Sequence, residues 1–254
     1  MDVPEANLGE INSLNQRGGR MLSVVDLIEA GSLDEQVAGY LLTAVAAGAS
    51  FLCAAGPGGV GKTTLLACLL SFLPPGERIC TVTDPWRLPP PPCPTCYLCH
   101  EIGSGHWYGY LWGEAAAQFL ALHRQGRIAA SLHADTVPEM QAQLLGEGVG
   151  ADQADLAAVD LLAFMVRMGG MRRVSAVYEA VGGERLDFRR TVTWRPERDD
   201  FVLRPDRRLA RLLGEDPRPL MEAATEFIAR LVRDRVQHLE DVMAAVAGFY
   251  RDTR

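Results

Sequence analysis

The stretch AAGPGGVGKTTLL, residues 54–66, sets Gly56, Gly61, Lys62 and Thr63 in the spacing G-x-x-x-x-G-K-T. Lys62 is the only lysine in the chain; the other strongly basic side chains are all arginine. This pattern suits a polyphosphate. Glycines let the backbone curl until its N–H groups point inward at phosphate oxygens. A helix starting at the lysine adds partial positive charge. A compact ammonium on a flexible stem reaches between the β- and γ-phosphates, where a planar guanidinium is bulky and demands a forked partner. Thr63 sets a hydroxyl where Mg²⁺ would sit. Gly56, Pro57, Gly58, Gly59, Val60, Gly61, Lys62, Thr63 and Thr64 are therefore the candidate cofactor-binding residues, for ATP with Mg²⁺, and Thr63 is the metal-side member. The competing reading is a chance match on a glycine-rich turn. The strand-length apolar run SFLCAA before the loop and the helical run GKTTLLACLLSFL after it speak against that. With one lysine the chain has no Asn-Lys-x-Asp guanine motif, and it has no LSGGQ signature, so adenine is reached by exclusion.

Hydrolysis needs a carboxylate near the metal or the attacking water, and a sensor of the γ-phosphate. Three strand ends offer such groups. Asp84 ends ICTVTD, Glu114 follows YGYLWG and His133 ends RIAASL. Ligands of open α/β sheets bind beyond the carboxyl ends of the strands, so these candidate catalytic residues can converge on the loop. Each also has a plainer role. Asp84-Pro85 can open a turn, Glu114 can be a first-turn acid favoured by the helix dipole, and His133 can be a core imidazole. Cys93, Cys96, Cys99, His100 and His106 have spacing compatible with zinc or an iron–sulfur cluster. There is no second knuckle, however, and a strand through Tyr97–Ile102 would turn Cys99 and His100 to opposite faces. The expectation is reduced, partly buried thiols without a metal.

The elements that must position these groups alternate along the chain. LSVVDLIEAG and GSLDEQVAGYLLTAVAAG read as helices, the second with Ser32 and Glu35 as a capping box. SFLCAA, RICTVTDP, YGYLW and RIAASL read as strands, with helices over GKTTLLACLLSFL and GEAAAQFLALHRQG between them. RLPPPPCPTC is an irregular loop, because its prolines leave a sheet unpaired. DTVPEMQAQLLGEG opens a helix with Thr136 as cap, Pro138 in the first turn and Glu139 closing the box. DLLAFMVRM, RRVSAVYEAV and RLDFRRTVTWRP are strand-like, and from Pro217 apolar residues recur at helical spacing. Arg230, Arg233 and Arg235 there fit a packing or subunit-contact helix better than a basic binding site. Strands alternating with helices imply an α/β fold with a mostly parallel sheet covered on both faces.

Composition sets outer bounds. The 254 residues are 48% hydrophobic with a net charge of -7, enough for one good core. An acidic chain is poorly suited to nucleic acid, which needs clustered cations. The polar, acidic start MDVPEANLGEINSLNQ is unlike a signal peptide, and no apolar run approaches the roughly 20 residues of a membrane span. The expectation is a cytoplasmic protein with no direct membrane span.

The order of these motifs resembles the type II/type IV secretion ATPase superfamily, the motors of pilus assembly, conjugation and protein secretion. The resemblance runs from about Met21 to Phe201. Residues 22–66 look like the family's helix pair, strand and Walker A loop. RICTVTDP looks like its Asp box, YLWGEAAAQFLAL its Walker B strand ending in Gly-Glu, RIAASLHAD its His box, and DLLAFMVRMGGMRRVSAVYEAV the strand pair that follows. The resemblance implies a RecA-like P-loop NTPase core. It implies Asp84 near the metal, Glu114 positioning water and His133 sensing the γ-phosphate. It further implies a homo-oligomer, a hexamer in the family, working with inner-membrane secretion or pilus components and so peripheral to the inner membrane. On this basis residues 1–20 are an N-terminal tail, 21–204 the ATPase core and 205–254 a C-terminal helical appendage. Thr83 stands where the Asp box carries an acid, and the arginine-bearing helix common before Walker B is missing. Two other functions compete: a nucleotide-binding regulatory or assembly subunit of the same fold with little or no hydrolysis, and a small P-loop kinase. The kinase ranks last because it would need a lid rich in arginine or lysine and an acceptor pocket, and Arg172 and Arg173 are the only obvious basic pair near the core in the sequence.

Overall fold

The computed structural model describes residues 2–15, 18–56, 58–91, 93–182 and 186–253. Among them the strands are β1 (Phe51–Ala54), β2 (Arg78–Thr81), β3 (Thr95–Ile102), β4 (Tyr110–Leu111), β5 (Arg127–Leu132), β6 (Leu161–Met168), β7 (Met171–Ala180), β8 (Phe188–Arg195) and β9 (Asp200–Leu203). They form one nine-stranded sheet in the order β2-β3-β5-β1-β6-β7-β8-β9, with β4 paired to β3. The neighbours from β2 to β6 run parallel, and β6 to β9 turn back and forth antiparallel. The phosphate-loop strand β1 thus lies between β5 and β6.

The sheet separates two cores by strand alternation. Phe51 and Cys53 of β1 face one, with the buried side chains of α3 (Glu35–Ala46) and α4 (Lys62–Leu70). Leu52 and Ala54 face the other, with those of α5 (Glu114–Ala121) and α6 (Val137–Leu145). A strand buried on both faces reads as a continuous apolar run. β3 obeys the same rule: Cys96 and Leu98 face the first core, Tyr97 and Cys99 the second. Cys96 and Cys99 are therefore on opposite sides of the sheet. Burial pushes the thiols of Cys53, Cys68, Cys96 and Cys99 well above the usual range.

Several sequence expectations shift. β3 is a full strand, and Thr95 and Cys96 at its start belong to what reads as loop in the sequence. The YGYLW segment pairs over Tyr110–Leu111 alone. The cap of α3 is Asp34, whose Oδ1 accepts from the Val37 N–H at 2.8 Å. Ser32 lies outside the helix, and its carbonyl accepts from Val174 N instead. A capping box does form, between Ser23 and Asp26 at the head of α2 (Val24–Glu29).

Described residues on both sides of 21–204 pack against the core. Within residues 1–20, helix α1 (Val3–Ser13) covers the sheet edge at β2. Asn7 mimics a strand there: its Nδ2 donates to the Glu77 carbonyl and its Oδ1 accepts from Ile79 N, both at 2.8 Å. After residue 205 come α8 (Arg207–Leu213), α9 (Arg218–Arg233) and α10 (Leu239–Asp252). Ala224, Phe227, Ile228 and Leu231 of α9 are buried in the first core. The Tyr250 hydroxyl of α10 donates to the Phe72 carbonyl at 2.8 Å. No helix among the described residues is long and apolar enough to cross a membrane.

Candidate functional site

The loop between β1 and α4 turns at the carboxyl end of the parallel strands. Gly61 closes it with φ 113°, left-handed backbone that an L side chain rarely adopts, and a Cβ there would meet Met165 Cε at 3.1 Å. Gly56 is close-packed against a side chain rather than held by its backbone angle. Its N–H donates to Asp135 Oδ1 at 2.6 Å, and a Cβ would lie 2.1 Å from that carboxylate. Pro57 lies outside the described residues. Gly58 to Thr64 line a cavity of about 660 Å³ together with His100, Glu101, His133 and Arg172. Lys62, Thr63 and Thr64 form the first turn of α4, whose N–H groups have no intrahelical partner. Arg172 steadies the loop from β7, donating from Nε to the Gly59 carbonyl at 3.0 Å.

Lys62 is buried, 6% exposed. Its ammonium lies 3.1 and 3.3 Å from the ring nitrogens of His133, 3.5 Å from the Ala55 carbonyl and 3.8 Å from Glu101 Oε2. A charge-assisted bond to a carboxylate is shorter, at roughly 2.7–2.9 Å, so the ammonium is held without a strong partner. Burial pulls its pKa below the usual lysine range, against the opposing pull of the Glu101 and Asp135 carboxylates. His133 Nε2 stands 2.6 Å from Glu101 Oε1, and its Nδ1 stands 2.6 Å from the Gly56 carbonyl oxygen. The Ser131 hydroxyl lies 2.6 Å from the His100 carbonyl and 3.1 Å from Glu101 Oε2. Lys62, Glu101 and His133 are thus one contact group at the head of α4.

Of the three expected strand-end groups, His133 meets the loop. Asp84 does not: it pairs with Arg87 at 3.5 Å and accepts from Trp86 N, outside the cavity. Glu114 does not either. It is the first residue of α5, exposed and outside the cavity lining. The carboxylate brought to Lys62 is Glu101, near the end of β3, because β3 sits beside β5 and one strand from β1. The β3–β5 register shifts between Cys99 and Ile102, and this irregularity lets both His100 and Glu101 line the cavity rather than face opposite sides. The sequence carries a signal for it: TCYLCHEI is a strand-length run between Pro94 and Gly103. Thr63 and Thr64 bring hydroxyl-bearing side chains to the cavity lining. Among the described residues no three His, Cys, Asp or Glu side chains stand close enough to hold a metal alone.

A glycine-rich turn leading from the central parallel strand into α4, with a strand inserted between β1 and the carboxylate-bearing β3, defines a RecA-like P-loop core with a C-terminal helical segment. No protein-family model matches the chain. An uncharacterized protein of Methanocaldococcus jannaschii is 25% identical over 273 aligned positions, covering 90% of this chain and 49% of that protein. The chain thus spans about half the length of this curated relative. The VirB11 ATPase of the Brucella suis type IV secretion system, solved with sulphate, is similar with a TM-score of 0.40 and 19% identity. That match covers 61% of this chain and 54% of VirB11. The Legionella pneumophila ATPase DotB gives 0.33 and 14%, covering 88% of this chain and 63% of DotB.

Proposed function

We propose that the chain binds Mg-ATP on residues 56–64 and hydrolyses it, as a type II/type IV secretion-type ATPase of a secretion or pilus machine. The observation that carries the nucleotide reading is the contact group at the loop: a buried, weakly partnered lysine with a carboxylate and an imidazole from two neighbouring strand ends. Lys62 takes the β- and γ-phosphates, and the free N–H groups of the first turn of α4 take the remaining oxygens. Thr63 would hold Mg²⁺, which would supply charge neutralisation on the phosphates. Glu101 accepts a hydrogen bond from the attacking water and orients it in line with the γ-phosphorus. His133, already touching both Glu101 and the loop, reads whether the γ-phosphate is present. Glu101 takes the role expected of Glu114, and Asp84 has none at this site. The machine is membrane-associated and the ATPase is its cytoplasmic, oligomeric part, a reading that rests on the order of sequence motifs.

Turnover and nucleotide affinity test this together. Glu101→Gln is expected to reduce ATP turnover by about 10²-fold or more with affinity for Mg-ATP kept within a few-fold. Glu114→Gln is expected to change neither. The reverse pattern would return the role to Glu114 and refute the geometric assignment. A second reading, a nucleotide-binding assembly subunit with little hydrolysis, draws on one observation: with Asp84 turned to Arg87 and Thr83 exposed, the β2 end brings no second carboxylate to the cavity. Binding without turnover in every assembled state would favour it.

A further inference from the structure

Ser131 interrupts the apolar run of β5, residues 128–132, with a side chain that is 0% exposed. A hydroxyl carried that deep costs stability unless it is hydrogen-bonded. Its place in the sheet decides what it bonds. The β3–β5 register pairs Cys99 with Ala130 and next pairs Ile102 with Leu132. Two residues of β3, His100 and Glu101, therefore stand against the single residue Ser131, and such a bulge disrupts the backbone ladder locally. On the side of β4 the bulge is held by backbone: His100 N donates to the Gly109 carbonyl at 2.8 Å, and Glu101 pairs with Tyr110. On the side of β5 the Ser131 side chain does the holding. Its Oγ donates to the His100 carbonyl at 2.6 Å and stands 3.1 Å from Glu101 Oε2. A hydroxyl carries one proton, so the two acceptors share it, with the closer contact to the carbonyl.

The Glu101 carboxylate meets two further groups, His133 Nε2 at 2.6 Å from Oε1 and the Lys62 ammonium at 3.8 Å from Oε2. Both of these line the cavity, where a bound polyphosphate would engage them; Ser131 lies behind the lining. Resting on the reading that Glu101 orients the attacking water, we propose that Ser131 is a positioning residue for that step. It pins the bulge that turns Glu101 into the cavity, and it keeps the carboxylate aimed when Lys62 and His133 turn to the phosphates. Ser131 itself touches neither nucleotide nor water. The physical need is plain: a group that orients a reactant must be held within roughly 0.5 Å of its working place, and its own supports must be locked by packing and hydrogen bonds. A fully buried serine on a central strand meets that need better than a partner exposed in the cavity.

The test is Mg-ATP turnover and Mg-ATP affinity of the full chain, all variants at one protein concentration, with a thermal melt of each. Ser131→Ala is expected to lower kcat about tenfold or more while affinity stays within about twofold. Ser131→Thr and Ser131→Val share one shape and differ by the hydroxyl, so their comparison stands even if shortening to alanine disturbs the core. Thr is expected to turn over within about threefold of wild type, and Val to be as slow as Ala. In a Glu101→Gln background Ser131→Ala is expected to cause no further loss, because its effect passes through that carboxylate. Thr and Val equally slow would reduce Ser131 to a packing residue and overturn the proposal. So would a loss of turnover in the Glu101→Gln background as large as in the wild type, or a loss of affinity that matches the loss of turnover. Turnover lowered by Glu101→Gln but untouched by Ser131→Ala and Ser131→Val would leave Glu101 in its role and remove Ser131 from it. Turnover untouched by Glu101→Gln, or absent from the wild-type chain, would overturn the reading of Glu101 itself, and this proposal with it.

Discussion

Burial pushes the His100 imidazole down to about 4. The ring is 4% exposed and its Nδ1 has no hydrogen-bond partner among the described residues. Its Nε2 faces only the hydroxyls of Thr81 and Ser13, at 3.3 and 3.4 Å, while the Glu10 carboxylate is taken by the Thr81 hydroxyl at 2.5 Å. The unfolded chain protonates such a histidine near 6.5, the native chain only near 4. Between those values the unfolded state holds more protons, so stability falls as pH falls. From pH 7 to pH 5 this one group is expected to remove about 2 kcal/mol. Urea unfolding at the two pH values measures it, and His100→Gln should flatten the difference. A slope that survives the substitution would assign the acid sensitivity to other groups. The residue scale also separates His100 from its neighbour. Glu101 meets Lys62 and His133 and can act on a ligand, whereas His100 is a buried neutral ring that helps shape the same cavity.

Helix-to-helix contact is tested at Gly39, where α9 crosses α3. A Cβ at 39 would lie 2.3 Å from Thr225 Oγ1 and 2.7 Å from Thr225 N. The sign of Gly39→Ala is informative. In an uncovered helix the change stabilises by about 1 kcal/mol through propensity. With α9 docked, the clash is against backbone and the net effect is a loss of about 1–2 kcal/mol. Denaturant unfolding of the variant decides; a gain would mean that α9 does not rest on α3. This contact shows why the sequence resolves the elements better than their assembly. Alternating apolar runs and caps are local, so β1, α4, β5, α6 and the β6–β8 run are legible from residue types. The amphipathic spacing of α9 is legible too, but its partner face on α3, where nearly every residue is buried, carries no marker of what covers it. β3 is hidden for a related reason. An interior parallel strand has no polar alternation, and here a proline run and cysteines precede and punctuate it. Without β3 the carboxylate at its end has no address, and Glu114, which follows a more strand-like run, is the candidate the sequence offers. The phosphate loop escapes this problem because its spacing and its flanking strand and helix are contiguous in the chain.

At the scale of the whole molecule, the open question is what completes the catalytic charge. Phosphoryl transfer gains on the order of 10³–10⁵ in rate from an arginine that reaches the transition state. Arg172 is the arginine lining the cavity, and its Nε is committed to the Gly59 carbonyl. Arg173 is buried with Asp199, its Nε 2.8 Å from Oδ1. Arg173 could reach a γ-phosphate only by releasing the start of β7, and Arg172 would have to reach it through its Nη groups while Nε holds the loop. On the proposed reading the described residues supply the phosphate loop, a carboxylate and an imidazole at the reacting end, and the arginine that lines the cavity is held to the loop through its Nε. The expectation is slow turnover by the monomer, with ATP binding intact. If copies of this chain assemble as the motif order suggests, an arginine from a neighbour can supply the missing charge, and turnover per chain will rise with protein concentration as assembly proceeds. Steady-state hydrolysis measured across a dilution series, with light scattering on the same samples, follows both quantities. Coincident transitions in mass and turnover would support a shared active site. Turnover that stays constant per chain through the assembly transition would show that each site is complete alone, and a monomer turning over at about tens per second, in the ordinary enzyme range, would mean that an arginine of its own reaches the phosphate.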